Sequence, residues 1–315
     1  MYWKLKAQIQ NTVSLLPSSV SYSAYYWIQR HFGGLRRTNP ISKLTAAIET
    51  CKRICEQGET LSDKVFLEVG TGRVPIVPIA YWLMGAEKTI TIDLNPYLKS
   101  ELVEEALQYI YENKEEILNL FGSLLIKERF VELQQALSKD SHFSVSKILN
   151  LCRVDYIAPG DAADTSFPEQ SIDFHTSYTV FEHIPLEVLE RILKEGNRII
   201  KNNGLFVHRI DYSDHFSHSD QSISAINFLQ YSDNEWNQFA DNRYMYMNRL
   251  RHDDFISLFE SVGYHIIEAQ PNTDNRSQEL LRNGSLQLHE RFKSKSEDVL
   301  AITGAWIISS KTANE

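Results

Sequence analysis

Between residues 64 and 210, short apolar runs alternate with amphipathic stretches. Lys64-Val65-Phe66-Leu67-Glu68-Val69 is a nearly continuous apolar run closed by glycines. That is the pattern of a strand buried on both faces, as in a parallel sheet. A helix is predicted from about Val74 to Met84. Its Pro75 falls in the first turn, where a missing N–H does no harm, whereas Pro78 conflicts mildly with an unbroken helix. Lys88-Thr89-Ile90-Thr91-Ile92-Asp93 is the next strand, which completes a β-α-β unit of about 30 residues with a right-handed crossover. Val154 to Ala158 and Ser171 to Ser177 continue the strands, and a helix runs from about Leu186 to Lys201. The loop Lys201-Asn202-Asn203-Gly204 is expected to stop that helix before a strand at Leu205 to Ile210. Tyr264 to Ala269 and Ala301 to Ser309 read as two more strands. The alternation predicts an α/β fold with a doubly wound sheet.

Two regions depart from that rhythm. Residues 1 to about 60 read as an N-terminal helical segment, broken at Leu15-Leu16-Pro17-Ser18-Ser19, at Gly33-Gly34 and at Asn39-Pro40. It carries Tyr22, Tyr25, Tyr26, Trp27 and Phe32, which are expected to pack on the main domain at 61–315. A lid over a substrate pocket and a membrane-surface contact are the other readings, and the scarcity of lysine weakens the second. From about 97 to 150 the pattern is helical for too long to be one crossover. Glu101 to Leu120 reads as one helix and Leu124 to Leu137 as another, giving a helical insertion expected to cap the substrate pocket.

Composition narrows the class. Of 315 residues, 43% are hydrophobic and 23% charged, as in a globular protein with a substantial core. Lys+Arg 32 against Asp+Glu 41 gives a net charge of -9, and no basic cluster exceeds the Arg36-Arg37 pair, so no nucleic-acid partner is expected. Cys51, Cys55 and Cys152 cannot form a disulfide framework and lack companion zinc ligands, so they read as free buried thiols in a reducing compartment. No apolar run reaches the ~18 residues of a membrane span, and no signal-peptide pattern opens the chain; a cytoplasmic location is expected. A homo-oligomer is compatible with all of this.

The candidate chemistry lies at the strand ends. In Glu68-Val69-Gly70-Thr71-Gly72-Arg73 the two glycines let backbone approach a ligand, and Glu68 can accept from a ligand ammonium. Asp93 closes the second strand about 20 residues on, where an acid takes ribose hydroxyls. Dehydrogenases and methyltransferases share this pattern. Three details favour the second. A dinucleotide fingerprint needs a further glycine where this chain has Pro75. Glu68 would repel a diphosphate but suits a cationic amino acid tail. After the third strand, Gly160-Asp161-Ala162-Ala163-Asp164 offers an acid that can accept from an adenine amino group.

On these residues the chain resembles the class I S-adenosylmethionine-dependent methyltransferases of the small-molecule type. The likeness rests on Glu68-Val69-Gly70-Thr71-Gly72, Asp93-Leu94, Gly160-Asp161-Ala162 with Phe167-Pro168, and Ser171-Ile172-Asp173-Phe174. It continues through Phe181-Glu182-His183-Ile184 and Leu193-Lys194-Glu195 to Lys201-Asn202-Asn203-Gly204. The resemblance implies a Rossmann-like seven-stranded sheet and S-adenosyl-L-methionine as cofactor. It implies that Gly70, Thr71 and Gly72 face the methionine part, with Glu68 behind them. Asp93 would hold the ribose, Leu94 lie against the adenine, Asp161 and Ala162 bind its edge, and Ser177 lie near the sulfonium. Two departures are Val74 in place of the first loop's usual third glycine, and the 97–150 insertion.

The acceptor side is expected after the fourth and fifth strands. His183 either joins the catalysis or packs as a cap. His208 to Asp220 holds three histidines and three aspartates in 13 residues. One reading is a general base, His215 or His218, oriented by Asp211 or Asp214. A second is a divalent metal, with magnesium suited to hard oxygen ligands, that holds two acceptor oxygens. A third is a polar loop whose aspartates cap turns. No metal-ligand set is assigned, and His31, His142, His252, His265 and His289 read as structural. Further on, Arg243 and Arg249 suit an anionic group, and Tyr244, Tyr246 and Met247 suit either a sugar-like pocket or core. Ser177-Tyr178-Thr179-Val180-Phe181 stands where nucleic-acid amino-methylases often carry an Asn/Asp-Pro-Pro-aromatic motif, which argues against that activity. The expectation is methyl transfer to an oxygen of a small-molecule or saccharide-type acceptor. A nicotinamide-dependent oxidoreductase and a non-catalytic nucleotide-binding scaffold are the competing readings.

Overall fold

The computed structural model describes residues 2–36, 38–138 and 144–312; Arg37 and His142 lie outside the described residues. Three helices lead in: α1 (Trp3–Ser14), α2 (Ser18–Phe32) and α3 (Ile41–Glu56). Then come β1 (Val65–Val69), α4 (Ile76–Leu83) and β2 (Lys88–Ile92). The helical insertion supplies α5 (Ser100–Glu112), α6 (Lys114–Phe121) and α7 (Lys127–Ala136), and α8 (Val145–Leu151) leads into β3 (Val154–Ile157). The chain continues through β4 (Ile172–Tyr178), α9 (Leu186–Ile199), β5 (Ile200–Asp211), α10 (Asp233–Ala240) and α11 (His252–Ser261). It closes with β6 (Tyr264–Thr273), α12 (Asn275–Arg282), α13 (Glu297–Leu300) and β7 (Ile302–Lys311).

The strands form one seven-stranded sheet in the order β3-β2-β1-β4-β5-β7-β6. The first five are parallel to their neighbours, while β7 runs antiparallel to both β5 and β6. This is the Rossmann-like arrangement expected from the sequence. The reversal of order between β1 and β4 opens a crevice at the carboxyl ends of the strands.

Strand periodicity divides the core. Phe66, Phe174, Leu205, Val207, Trp306 and Ile308 face α3, α4 and the 97–150 helices. Leu67, Val69, Ile90, Phe206, Ile210 and Ile307 face α9 and α11 on the other side. Helix α9 buries Leu189, Ile192, Leu193, Gly196 and Ile199, one stripe at the helical period. A third cluster joins Trp3 and Ala7 of α1 to Phe216, Phe228, Trp236 and Leu300.

Several expectations need correction. Lys201 to Gly204 is part of β5, not a loop that precedes a strand. Ile200 pairs with Ile172 and Leu205 with Phe174, so the polar residues bulge out of a strand that continues on both sides. The stretch Glu101 to Leu120 is two helices, because Asn113 leaves helical geometry at φ -107 and ψ 46. Pro78 does not break α4, because it lies in the first turn, where an N–H would have no intrahelical partner and its absence costs nothing. Cys51 and Cys152 are buried free thiols, but Cys55 is exposed. In the 97–150 region Leu102, Val103, Ala106, Ile110, Ile117, Phe130 and Leu133 join the core against α4. Among the described residues, no helix is long and apolar enough to cross a membrane.

Candidate active site

The cofactor half is assembled by three neighbouring strand ends. Gly70 and Gly72 adopt φ values of +91° and +67°, which side chains disfavour. The Gly70 N–H donates to the Ile92 carbonyl at 2.8 Å and the Gly72 N–H to Asp93 Oδ2 at 2.8 Å. Asp93 Oδ1 accepts from the Asn95 N–H at 3.0 Å, and the Asp93 carbonyl accepts from the Gly160 N–H at 2.9 Å. The turns carrying Glu68, Asp93 and Asp161 therefore meet at one edge. Asp161 is exposed, accepts from the Ala163 N–H at 2.8 Å and lies 3.6 Å from Arg191. Ala162 is buried beside it, whereas Leu94 is 70% exposed.

Glu68 lies buried beneath this loop. Its Oε2 accepts from Thr91 Oγ1 at 2.5 Å, and Thr91 is also 2.5 Å from Thr71 Oγ1. Burial pushes the Glu68 carboxyl up to about 7, against the opposing pull of Thr91 and the Lys43 ammonium. Its folded value exceeds its unfolded one. The folded chain therefore retains a proton that the unfolded chain releases, and stability falls as pH rises from about 4.5 to about 7. Glu68→Gln removes that fall. Urea denaturation should show the variant gaining about 1–3 kcal/mol relative to wild type between those pH values. A constant difference across the range would mean that the carboxylate is already charged.

Two residues absent from the sequence reading belong to this half. Lys43 of α3 is desolvated, donates to the Val74 carbonyl at 2.9 Å, and feels Glu68 and Asp93. Arg73 stacks its guanidinium 5.2 Å from the Tyr26 ring, and its buried Nη1 has no partner. Lys43 gives no sequence signal, since it is one lysine on an otherwise ordinary amphipathic helix. Arg73 could have been found, because it directly follows the glycine pair. Beside Arg73 stand Tyr25, Tyr97 and Tyr244, with Tyr25 stacked on Tyr244 at 3.9 Å and Tyr22 edge-on to Tyr97 at 5.4 Å. The N-terminal aromatics thus point inward at Tyr22, Tyr25 and Tyr26, while Trp27 and Phe32 remain exposed.

These residues fit S-adenosylmethionine. A Cβ on Gly72 would meet only Lys43 Nζ, at 4.0 Å, so the loop edge is open to a ligand. The orphaned Arg73 nitrogen suits a carboxylate, and Glu68 with Asp93 suits a cationic nucleoside.

The acceptor half adjoins it. A Cβ on Gly70 would lie 2.5 Å from Val180 Cγ2, so the segment after β4 rests on the cofactor loop. Ser177 is buried, with Oγ 2.7 Å from His208 Nδ1, and His208 Nε2 lies 3.3 Å from His175 Nδ1. Burial pushes both histidines well below their usual range, so this chain beneath the site is uncharged. His183 Nδ1 is 2.8 Å from the Tyr246 carbonyl, and its ring meets that of His215 edge-on at 4.8 Å. His215 Nε2 lies 3.3 Å from Asp211 Oδ2. Ser213 donates to Asp211 Oδ1 at 2.6 Å and contacts His218 Nε2 at 2.9 Å. Burial pushes the Asp211 carboxyl up, but the bonds from His215 and Ser213 outweigh it and hold the group at about 2. A cleft of about 360 Å³ opens alongside, lined by Tyr178, Arg209, Asp211, Ser213, His218 and Asp274 among others.

Some candidates play other parts. Asp214 accepts from the Phe216 N–H and from Asn227 Nδ2 at 2.8 and 3.0 Å, so it orders the loop and does not orient a histidine. Arg249 is buried, pairs with Asp233 and donates to the Phe228 and Tyr231 carbonyls. It is therefore committed to structure and not to an anionic substrate. Arg243 lies over the Tyr22 ring at 5.6 Å. Met247 is core, and Tyr244 closes the aromatic cluster.

Residues 126–208 match the family model described as a methyltransferase domain. No curated protein matches the chain. Among solved structures, it is similar to an S-adenosylmethionine-dependent methyltransferase from Methanosarcina mazei, with 13% identity, 83% of this chain and 98% of that one covered, and a TM-score of 0.45. It is also similar to geranyl diphosphate C-methyltransferase from Streptomyces coelicolor, with 11% identity, 85% and 79% coverage, and a TM-score of 0.46. A methyltransferase from Mesorhizobium loti gives 9%, 82%, 96% and 0.42 for the same quantities. The match over residues 126–208 and the strand order agree with the resemblance to the class I S-adenosylmethionine-dependent methyltransferases read from the sequence.

Proposed function

We propose that the protein moves a methyl group from S-adenosylmethionine to an oxygen of a small-molecule or saccharide-type acceptor bound in the cleft beside Asp211. The observation that carries this reading is the Asp211–His215 contact of 3.3 Å, made next to a segment that rests on the cofactor loop. The cofactor supplies a methyl carbon already activated by positive sulfur. Gly70, Thr71, Gly72 and Arg73 bind its amino acid end, with Glu68 behind them. Asp93 takes the ribose, Leu94 covers the adenine, and Asp161 and Ala162 read the adenine edge. Ser177 borders the reacting carbon. On the acceptor side Asp211 orients His215, which takes the hydroxyl proton as the acceptor attacks in line. His183 packs against the His215 ring and holds it in place.

Transfer of isotope-labelled methyl from S-adenosylmethionine into cell-extract metabolites tests this, with the modified atom located by mass spectrometry. A labelled methyl on oxygen is expected. Label found solely on carbon or nitrogen would overturn the acceptor reading. For the cofactor assignment, Asp93→Ala should weaken S-adenosyl-L-homocysteine binding by ~1–3 kcal/mol, read by calorimetry, through lost hydrogen bonds to a charged group. Unchanged affinity would remove Asp93 from the ribose.

A further inference from the structure

We propose that Glu182, His183 and His215 form a binding site for a divalent transition metal, with Asp211 and His218 on its open side. The site deepens the reading above, on which the acceptor lies beside this cluster. Ligand atoms of Glu182, His183 and His215 lie within 4.8 Å of one another, as do those of Asp211, His215 and His218. His215 is shared by the two triads, so the second adjoins the first.

Glu182 is an independent observation. It is 2% exposed, and neither carboxylate oxygen has a hydrogen-bond partner. The backbone N–H groups of Glu182 itself and of Asp211 are nearby, but neither closes a bond of normal geometry. An orphaned buried carboxyl is costly, and a cation beside it removes that cost.

His183 is also set as a ligand. Its Nδ1 faces the Tyr246 carbonyl at 2.8 Å, which places the proton on Nδ1 and leaves the Nε2 lone pair bare. A carbonyl partner on the remote nitrogen is how a metal-binding imidazole is oriented. His215 Nε2 is likewise buried without a well-formed hydrogen bond, although Asp211 Oδ2 is 3.3 Å away.

The donor set selects the ion. Two imidazoles and one carboxylate suit zinc, cobalt, manganese or ferrous iron better than magnesium, which prefers oxygen and water. Asp211 and His218 also line the cleft, so the side of the site open to further ligands faces the acceptor. An ion held by Glu182, His183 and His215 would lower the pKa of an acceptor hydroxyl beside it, so that with the ion bound His215 would serve as a ligand, and its part as general base belongs to the metal-free protein.

Titration of the full chain with Co²⁺, followed by visible absorption, tests the site. One saturable equivalent is expected, and Glu182→Gln and His183→Gln should each weaken it at least about tenfold. Calorimetry with S-adenosyl-L-homocysteine on the same samples, expected to be unchanged, reports that each variant is folded. The absence of a saturable band in wild type, or a band undiminished in both folded variants, would overturn the metal site. Methyl transfer to oxygen that persists in excess chelator but is lost in His215→Ala would also overturn it, and would leave the general-base reading intact. A Co²⁺ site that depends on Glu182 and His183 supports the proposal even where no oxygen acceptor is methylated, so the two readings fail separately.

Discussion

Replacing His215 with alanine lowers kcat about 10²–10⁴-fold and leaves affinity for S-adenosyl-L-homocysteine near the wild-type value. The expectation follows from where the ring is held. Its loop is fixed by contacts the substitution does not touch: Asp214 accepts from Phe216 and Asn227, and the Asp214 N–H donates to the Ala225 carbonyl at 2.7 Å. The cofactor turns, held through Asp93 and Gly160, share none of these contacts. The loss should therefore appear in the chemical step. Steady-state kinetics paired with calorimetry separates the two quantities. Turnover within about tenfold of wild type would place the proton transfer elsewhere.

The second large effect concerns stability. Arg251 is fully buried, and its guanidinium donates to the carbonyls of Tyr212 at 2.7 Å and of Leu300 at 2.9 Å, and also to that of Ile302. It lies over the Tyr212 and Phe228 rings, 5.8 and 5.7 Å from their centroids. Burial lowers its pKa to about 10, so it remains a cation at neutral pH. One side chain thus ties the exit of β5, the entry of β7 and the start of α11. Arg251→Met keeps much of the volume but strands three carbonyls, which should cost about 3–5 kcal/mol. Urea midpoints should fall with little change in slope. A loss below about 1 kcal/mol would mean that water replaces the guanidinium.

Which parts of this molecule could be read in the sequence follows from physics. Strands β1, β2 and β4 were legible because burial along most of their length leaves short runs rich in β-branched and aromatic residues. The glycine turn and Asp93 were legible because few residues tolerate those positions. Lys201 to Gly204 misled because turn-forming residues within a bulged strand look like a turn. Asn113 split a helix whose apolar stripe passes smoothly across it. The Asp211–His215 pair was visible as a dense local cluster. Its neighbours Glu182 and His183, and the Tyr246 carbonyl that His183 meets, come from distant segments, which β4, β5 and the stretch before α11 bring together only in space. Lys43 illustrates the same limit, since its role depends on acids far along the chain.

Helix α1 finds its partners late. Trp3 packs on Phe216 and Trp236, and its N–H donates to Asp220, 217 positions further on. During synthesis that tryptophan face has nothing to cover it until most of the chain has emerged. Contacts this remote in sequence slow folding. The turns after β1 and β2, with partners no later than Val180, can set first. The loop that carries His215 and Phe216 therefore settles late on the ribosome, once Trp236 has emerged and can close over the α1 tryptophan.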